Sequence, residues 1–247
     1  GGGLMGCSLE RGGKNAMIVR ADADVERAAE IAVRACFANA GQLCISMERL
    51  YVHQAIVDAF TEAFVRRVEA LRMVAAVGWD GDMGSLTSHR QIDRVVEHVA
   101  EAVAKGARVL TGGHARPDIG PFYFEPTVLT DVTESMSLCA TETFGPVVAI
   151  YPVASDDEAV RRSNDTTYGL NASVITRDKG MGRTIAAQLY AGTVNINEAY
   201  GSAWGSTRAP MGGMGDSGLG RRHGDEGLLK YTESQNVTVQ RGMPLAP

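Results

Sequence analysis

The chain has 247 residues, 45% of them hydrophobic and 21% charged, with a net charge of −5. It is long enough to bury a substantial core in one large or two small domains. The acidic balance gives no electrostatic reason to expect nucleic acid or an anionic membrane as partner. No apolar run approaches the ~18 residues that span a bilayer, and no signal-peptide pattern stands at the start.

The predicted elements begin with a helix over 25–36, where Val25, Ala28, Ala29, Ala32, Val33 and Cys36 recur at helical spacing behind the candidate N-caps Asp22 and Asp24. Gly41 ends it and leaves Cys44 in the loop that follows. A short strand is expected over 49–53, a helix over 55–73, a loop over 78–84 and a helix over 88–105. Strands over 107–110, 124–131 and 147–153 come next. Ser155 caps a helix reaching Arg162, with Asp156, Asp157 and Glu158 at its positive end. A strand over 172–176, a helix over 181–190 and a strand over 193–197 complete the alternation. That order implies an α/β fold with a largely parallel sheet flanked by helices.

Two segments fall outside the alternation. Residues 201–220 read as a long loop rich in Gly, Ser and Met, a length that is functional or disordered in compact domains. The tail over 231–240 alternates like a strand with nothing after it to pair with, so it reads as an edge to which a second subunit could add.

Four cysteines lie far apart with no Cys-x-x-Cys, a usage that suits a reduced setting, and a cytoplasmic location is expected. The five histidines never fall at metal-ligand spacing, so no metal site is assigned. Cys36 faces a helix of alanines as a small core residue, Cys7 and Cys139 read as structural, and His53 and His98 as ordinary histidines. Cys44 differs, because Asn39-Ala40-Gly41-Gln42-Leu43-Cys44-Ile45-Ser46 sets it in a turn of small and amide residues. Backbone N–H groups in such a turn would favour its thiolate. Leu9-Glu10-Arg11-Gly12-Gly13-Lys14 places a carboxylate beside a flexible double glycine. A thiol and a carboxylate of this kind can do acyl chemistry, Cys44 as nucleophile and Glu10 as proton acceptor.

These two segments, together with Glu142-Thr143-Phe144-Gly145-Pro146-Val147, Asn164-Asp165-Thr166-Thr167-Tyr168-Gly169-Leu170 and Gly212-Gly213-Met214-Gly215-Asp216-Ser217-Gly218, resemble the aldehyde dehydrogenase superfamily. The resemblance runs in order along essentially the whole chain. It implies that Cys44 attacks an aldehyde to form a thiohemiacetal and then a thioester, and that Glu10 activates the hydrolytic water. By the same resemblance Glu142 bonds a nicotinamide-ribose hydroxyl, Phe144 packs near the nicotinamide, and the cofactor is NAD or NADP. The substrate is a small aldehyde, with succinate semialdehyde or a related aliphatic semialdehyde ranked first. The resemblance also implies a homo-oligomer joined through the tail.

Several positions depart from the family pattern. Arg11 stands where Leu is usual, and its charge would act on Glu10 if it points inward. Met211 and Gly215 replace Phe and Lys. Some semialdehyde-specific members carry an Arg where Ala38 stands, the kind of anchor a carboxylate substrate would want. The chain opens Gly1-Gly2-Gly3 with no Gly-rich nucleotide-binding turn. The expectation is therefore a catalytic half: 1–11 ending an absent nucleotide-binding domain, 12–231 the catalytic domain, and 232–247 an oligomerisation segment. The Asn that completes the family's oxyanion hole would lie in the absent part. Two alternatives stay open, a cofactor-independent thiol esterase using Cys44 and Glu10, and an inactive truncated product.

Overall fold

A computed structural model describes residues 6–242. The chain runs through β1 (Leu9–Glu10), β2 (Asn15–Val19), α1 (Val25–Phe37), a 3-10 turn (Ala38–Gly41), β3 (Met47–His53), α2 (Val57–Glu69) and α3 (His89–Ala104). It continues through β4 (Arg108–Thr111), β5 (Thr127–Thr130), α4 (Ser137–Ala140), β6 (Val147–Val153), α5 (Asp156–Asn164), β7 (Tyr168–Gly169) and β8 (Asn171–Ile175). The last elements are α6 (Lys179–Ala186), β9 (Thr193–Ile196), α7 (Gly201–Gly205), β10 (Met214–Gly215), β11 (Gly218–Leu219) and α8 (Gly224–Leu229).

Seven strands form one sheet in the order β4-β5-β6-β3-β2-β8-β9. Every neighbouring pair is parallel except β4 with β5 at one edge. The expected α/β layering holds. β2, near the middle, is missing from the strands predicted by pattern. All five of its residues are buried, so it shows no alternation of apolar and polar positions to read.

The caps follow local chemistry. Asp24 accepts the Arg27 N–H at 3.1 Å and caps α1. Ser88 and Ser155 cap α3 and α5 in the same way. Asp22 does not cap; it accepts from Thr176 Oγ1 and from the N–H groups of Arg177 and Asp178, tying the end of β2 to the end of β8. Behind the sheet, Phe37 stacks on Phe64 at 6.1 Å and Phe64 on Phe60 at 5.6 Å, locking α1 to α2.

Residues 231–239 lie in no strand, and Val237 and Val239 are exposed; the tail is expected to add to a second subunit and not to the sheets of this chain. One expectation needs correction: the 201–220 segment is not a simple loop. β11 pairs with β1 and β10 with β7, so it straps the Glu10 strand to the segment before β8.

After α1 the backbone turns sharply. Asn39, Ala40 and Gly41 all have positive φ (53°, 54° and 69°). A methyl on Gly41 would overlap the Gly145 carbonyl, so this close approach of two loops requires glycine. Gly41→Ala is expected to lower the free energy of urea denaturation by about 1–3 kcal/mol. A change within about 0.5 kcal/mol, typical of a neutral surface site, would show that the approach is not tight.

Candidate active site

Because the six parallel strands start on one edge of the sheet, the segments leading into four of them gather there. These are Glu10–Lys14 before β2, Leu43–Ser46 before β3, Glu142–Pro146 before β6 and Gly169–Leu170 before β8. This is the amino edge, opposite the carboxyl edge at which open α/β sheets ordinarily hold ligands.

Side-chain amides hold the Cys44 loop by its carbonyls. Asn15 Nδ2 donates to the carbonyls of Cys44 and Ser46, both at 2.8 Å, and Asn171 Nδ2 donates to that of Ile45 at 2.9 Å. Asn15 Oδ1 accepts the Asn171 N–H at 3.0 Å, and Asn195 Nδ2 donates to Asn171 Oδ1 at 2.9 Å. One asparagine each from β2, β8 and β9 thus forms a chain of amides, all buried. Gln42 fixes the other side of the loop, accepting the Thr87 N–H and donating to the carbonyls of Asn39 and Ser85.

A second polar cluster binds the 142–144 turn. Lys14 and Glu48 form a buried ion pair. The Glu48 carboxylate also accepts the N–H groups of Thr143 at 3.0 Å and Phe144 at 2.9 Å. Gln91 holds the same turn from α3, donating to the carbonyls of Thr143 at 2.9 Å and Phe144 at 2.6 Å. Phe144 sits at φ 55°, held there by these bonds. Arg49, also buried, donates twice to the Lys14 carbonyl.

The carboxylates arrive by two routes. Glu10 lies opposite Gly218 in the β1–β11 ladder, and Arg11 N–H donates to the Ser217 carbonyl at 2.9 Å. The Arg11 side chain is exposed. The cation beside Glu10 is instead Arg222, whose Nε lies 3.0 Å from Glu10 Oε1. Glu142 reaches back to accept the Gly13 N–H at 2.9 Å. Gly12 allows this, because a methyl there would overlap the Glu142 carboxylate. Burial pushes the Glu142 carboxyl up to about 7; the Gly13 N–H opposes the rise and the nearby Glu48 charge adds to it.

Cys44 is half-buried and packs with Leu43 and Tyr200 against Ile45, Leu170 and Met211. This apolar wall raises the proton affinity of the thiol, and the charges of Glu10 and Glu142 raise it further. Its own N–H and Arg222 act the other way. The expectation that the turn favours a thiolate is therefore corrected: desolvation and two carboxylates outweigh the N–H, and the resting group is a thiol. The structure brings Cys44, Glu10 and Glu142 into one electrostatic cluster. Phe144 stands in the same turn as Glu142, with a half-buried ring.

Sequence reasoning missed Lys14, Glu48, Asn15, Asn171, Asn195 and Arg222. A lysine and an asparagine directly before an apolar run were visible hints at positions 14 and 15. The other four acquire meaning only once the strand order is known. Among the described residues no group of three or more His, Cys, Asp or Glu is arranged to hold a metal ion. No helix among them is long and apolar enough to cross a membrane.

The aldehyde dehydrogenase family matches residues 2–237. A protein of Mycobacterium ulcerans named "Putative succinate-semialdehyde dehydrogenase (NADP(+)) 2" is 57% identical over 244 residues, covering 99% of this chain and 47% of that protein. A Mycolicibacterium smegmatis protein named "Putative succinate-semialdehyde dehydrogenase (NADP(+))" matches to the same extent, 57% over 244 residues with the same 99% and 47% coverage. Among solved structures, betaine aldehyde dehydrogenase from Staphylococcus aureus in complex with NAD+ superposes with a TM-score of 0.86 at 36% identity, over 91% of this chain and 44% of that one. The chain spans about half the length of the curated relatives it matches.

The Glu142 environment makes a signed prediction. A carboxyl raised from 4.5 to about 7 stabilises the fold below pH 4.5, and that contribution is lost as pH rises through 7. Glu142→Gln, which mimics the protonated acid, should melt like the parent at pH 4.5 and progressively higher than it towards pH 8. A melting difference that stays constant with pH would contradict the burial argument.

Proposed function

Since the chain belongs to the aldehyde dehydrogenase family, we propose that it carries the acyl chemistry of an NAD(P)-dependent oxidation of a small aldehyde to its carboxylic acid. The observation that carries this reading is the cluster itself: a thiol held by three fixed carbonyls, acted on electrostatically by Glu10 and Glu142.

Each step follows from the groups present. The resting Cys44 thiol is protonated, so a nearby carboxylate must take its proton as sulfur attacks the aldehyde carbonyl. Glu10 is that acceptor. Its Oε1 is buried against the Arg222 guanidinium without an aligned hydrogen bond, so the carboxylate keeps acceptor capacity. The thiohemiacetal oxyanion forms beside the Cys44 N–H, which can donate to it. Glu10 first passes the thiol proton to solvent and then takes a proton from water; the resulting hydroxide adds to the thioester carbonyl, the C–S bond breaks, and Glu10 returns its proton to the leaving sulfur, so that acid and thiol are released.

The residues also fit the nucleotide. Glu142 uses one oxygen on Gly13 and keeps acceptor capacity on the other, as a ribose hydroxyl requires, and Phe144 offers a half-exposed ring from a fixed turn. A bound nicotinamide supplies the hydride acceptor that turns thiohemiacetal into thioester. NAD and NADP are both consistent with these contacts.

Succinate semialdehyde ranks first among aldehydes on the likeness to the two mycobacterial proteins. In this reading residues 12–231 are the catalytic unit, the exposed tail joins subunits of a homo-oligomer, and the protein works in the cytoplasm. Glu10 and Cys44 both lie in this chain, so hydrolysis of activated esters is open to it without any nucleotide.

That overlap supplies the test. The chain should hydrolyse p-nitrophenyl acetate, Cys44→Ala should reduce turnover to background, and Glu10→Gln should slow it by about 10²–10⁴-fold while acetylated protein accumulates. Turnover that survives the Cys44 substitution would sink the assignment.

A further inference from the structure

Arg222 follows β11 and is fixed by its backbone. Its N–H donates to the Met211 carbonyl at 2.6 Å, and the Met211 N–H donates back at 2.7 Å. Changing the side chain leaves this bridge intact. The guanidinium meets Glu10 through charge rather than through an aligned hydrogen bond, since Glu10 Oε1 has no hydrogen-bond partner despite Nε at 3.0 Å. The two partners differ in freedom. Arg222's side chain is 51% exposed and Glu10's 19%, so the cation can swing into water and the carboxylate cannot. The neighbouring Arg11 faces solvent and does not replace it.

The charge of the same guanidinium acts on the thiol. Glu10 from β1 and Glu142 from the turn before β6 place negative charge on Cys44, and Arg222 opposes them. Tyr200, after β9, is the other titratable group on the apolar wall. We propose that Arg222 is the positioning residue of the Cys44–Glu10 pair, clamping the Glu10 carboxylate at the β11 edge and offsetting its charge on the thiol. Nothing in the family likeness or in the names of the relatives assigns it this role. The clamp opens as the guanidinium moves into solvent, freeing Glu10 to meet water.

The proposal rests on the Cys44–Glu10 reading, and its test does not require turnover. Iodoacetamide labelling across pH 6–10, resolved by peptide mapping, follows Cys44 with exposed Cys7 as reagent control and buried Cys36 as folding control. In Arg222→Gln the Cys44 profile should move to higher pH and labelling at pH 8 should slow about 3–10-fold, a tenfold loss matching one pKa unit. Arg222→Lys should restore most of the rate. Adding Glu10→Gln to Arg222→Gln should return labelling to the parent rate or above it, because the charge that Arg222 offsets is then gone. An unmoved Cys44 profile in Arg222→Gln would overturn the proposal. So would a slowing accompanied by Cys36 labelling, which would make Arg222 a structural residue only. Failure of ester turnover with a shifted profile would count against the Glu10 mechanism and leave the clamp standing.

Discussion

The Glu48 carboxylate, buried at the amino end of β3, accepts the Lys14 ammonium from the start of β2 and the N–H groups of Thr143 and Phe144 from the turn before β6. Desolvating an ammonium and a carboxylate costs several kcal/mol for each ion unless the geometry and the remaining hydrogen bonds are good. Here the carboxylate is saturated by donors from two separate segments. This one group therefore sets the distance between the strand that follows Glu10, the strand that follows Cys44 and the turn that carries Glu142. The amides of Asn15, Asn171 and Asn195 then fix the Cys44 loop within that frame.

A consequence of this polar scaffold is its charge. Two carboxylates beside a half-buried thiol make the thiolate costly at rest. In the proposed mechanism that suits a thiol whose proton leaves only as the carbon–sulfur bond forms. The apolar wall of Ile45, Leu170 and Met211 adds desolvation on the same side. Met211, a departure from the family pattern, is thus part of the immediate surroundings of Cys44 and not a remote feature of a loop.

How much of this could be read from the chain depends on the range of each interaction. Caps such as Asp24 and Ser155 act over three residues and were legible, as were the helices they start. Helix and strand alternation gave the layer order. Cys44, Glu10 and Glu142 stood out by their glycine-rich surroundings. Lys14 with Glu48, and Arg222 with Glu10, are separated by 34 and 212 residues, and single lysines, arginines and glutamates read as solvated surface until the strand order brings them together. The direction of the thiol's proton affinity was misjudged for the same reason, since the turn's own N–H is local and the opposing carboxylates are not.

The central claim is that Cys44 is the atom on which acyl groups form. Rapid acid quench of the chain during its first turnover of p-nitrophenyl acetate, followed by peptide mapping, tests it most directly. The account predicts a single acetyl adduct, labile to hydroxylamine as a thioester is, on the peptide that carries Cys44. An adduct on another residue, or a first turnover with no adduct at all, would contradict it.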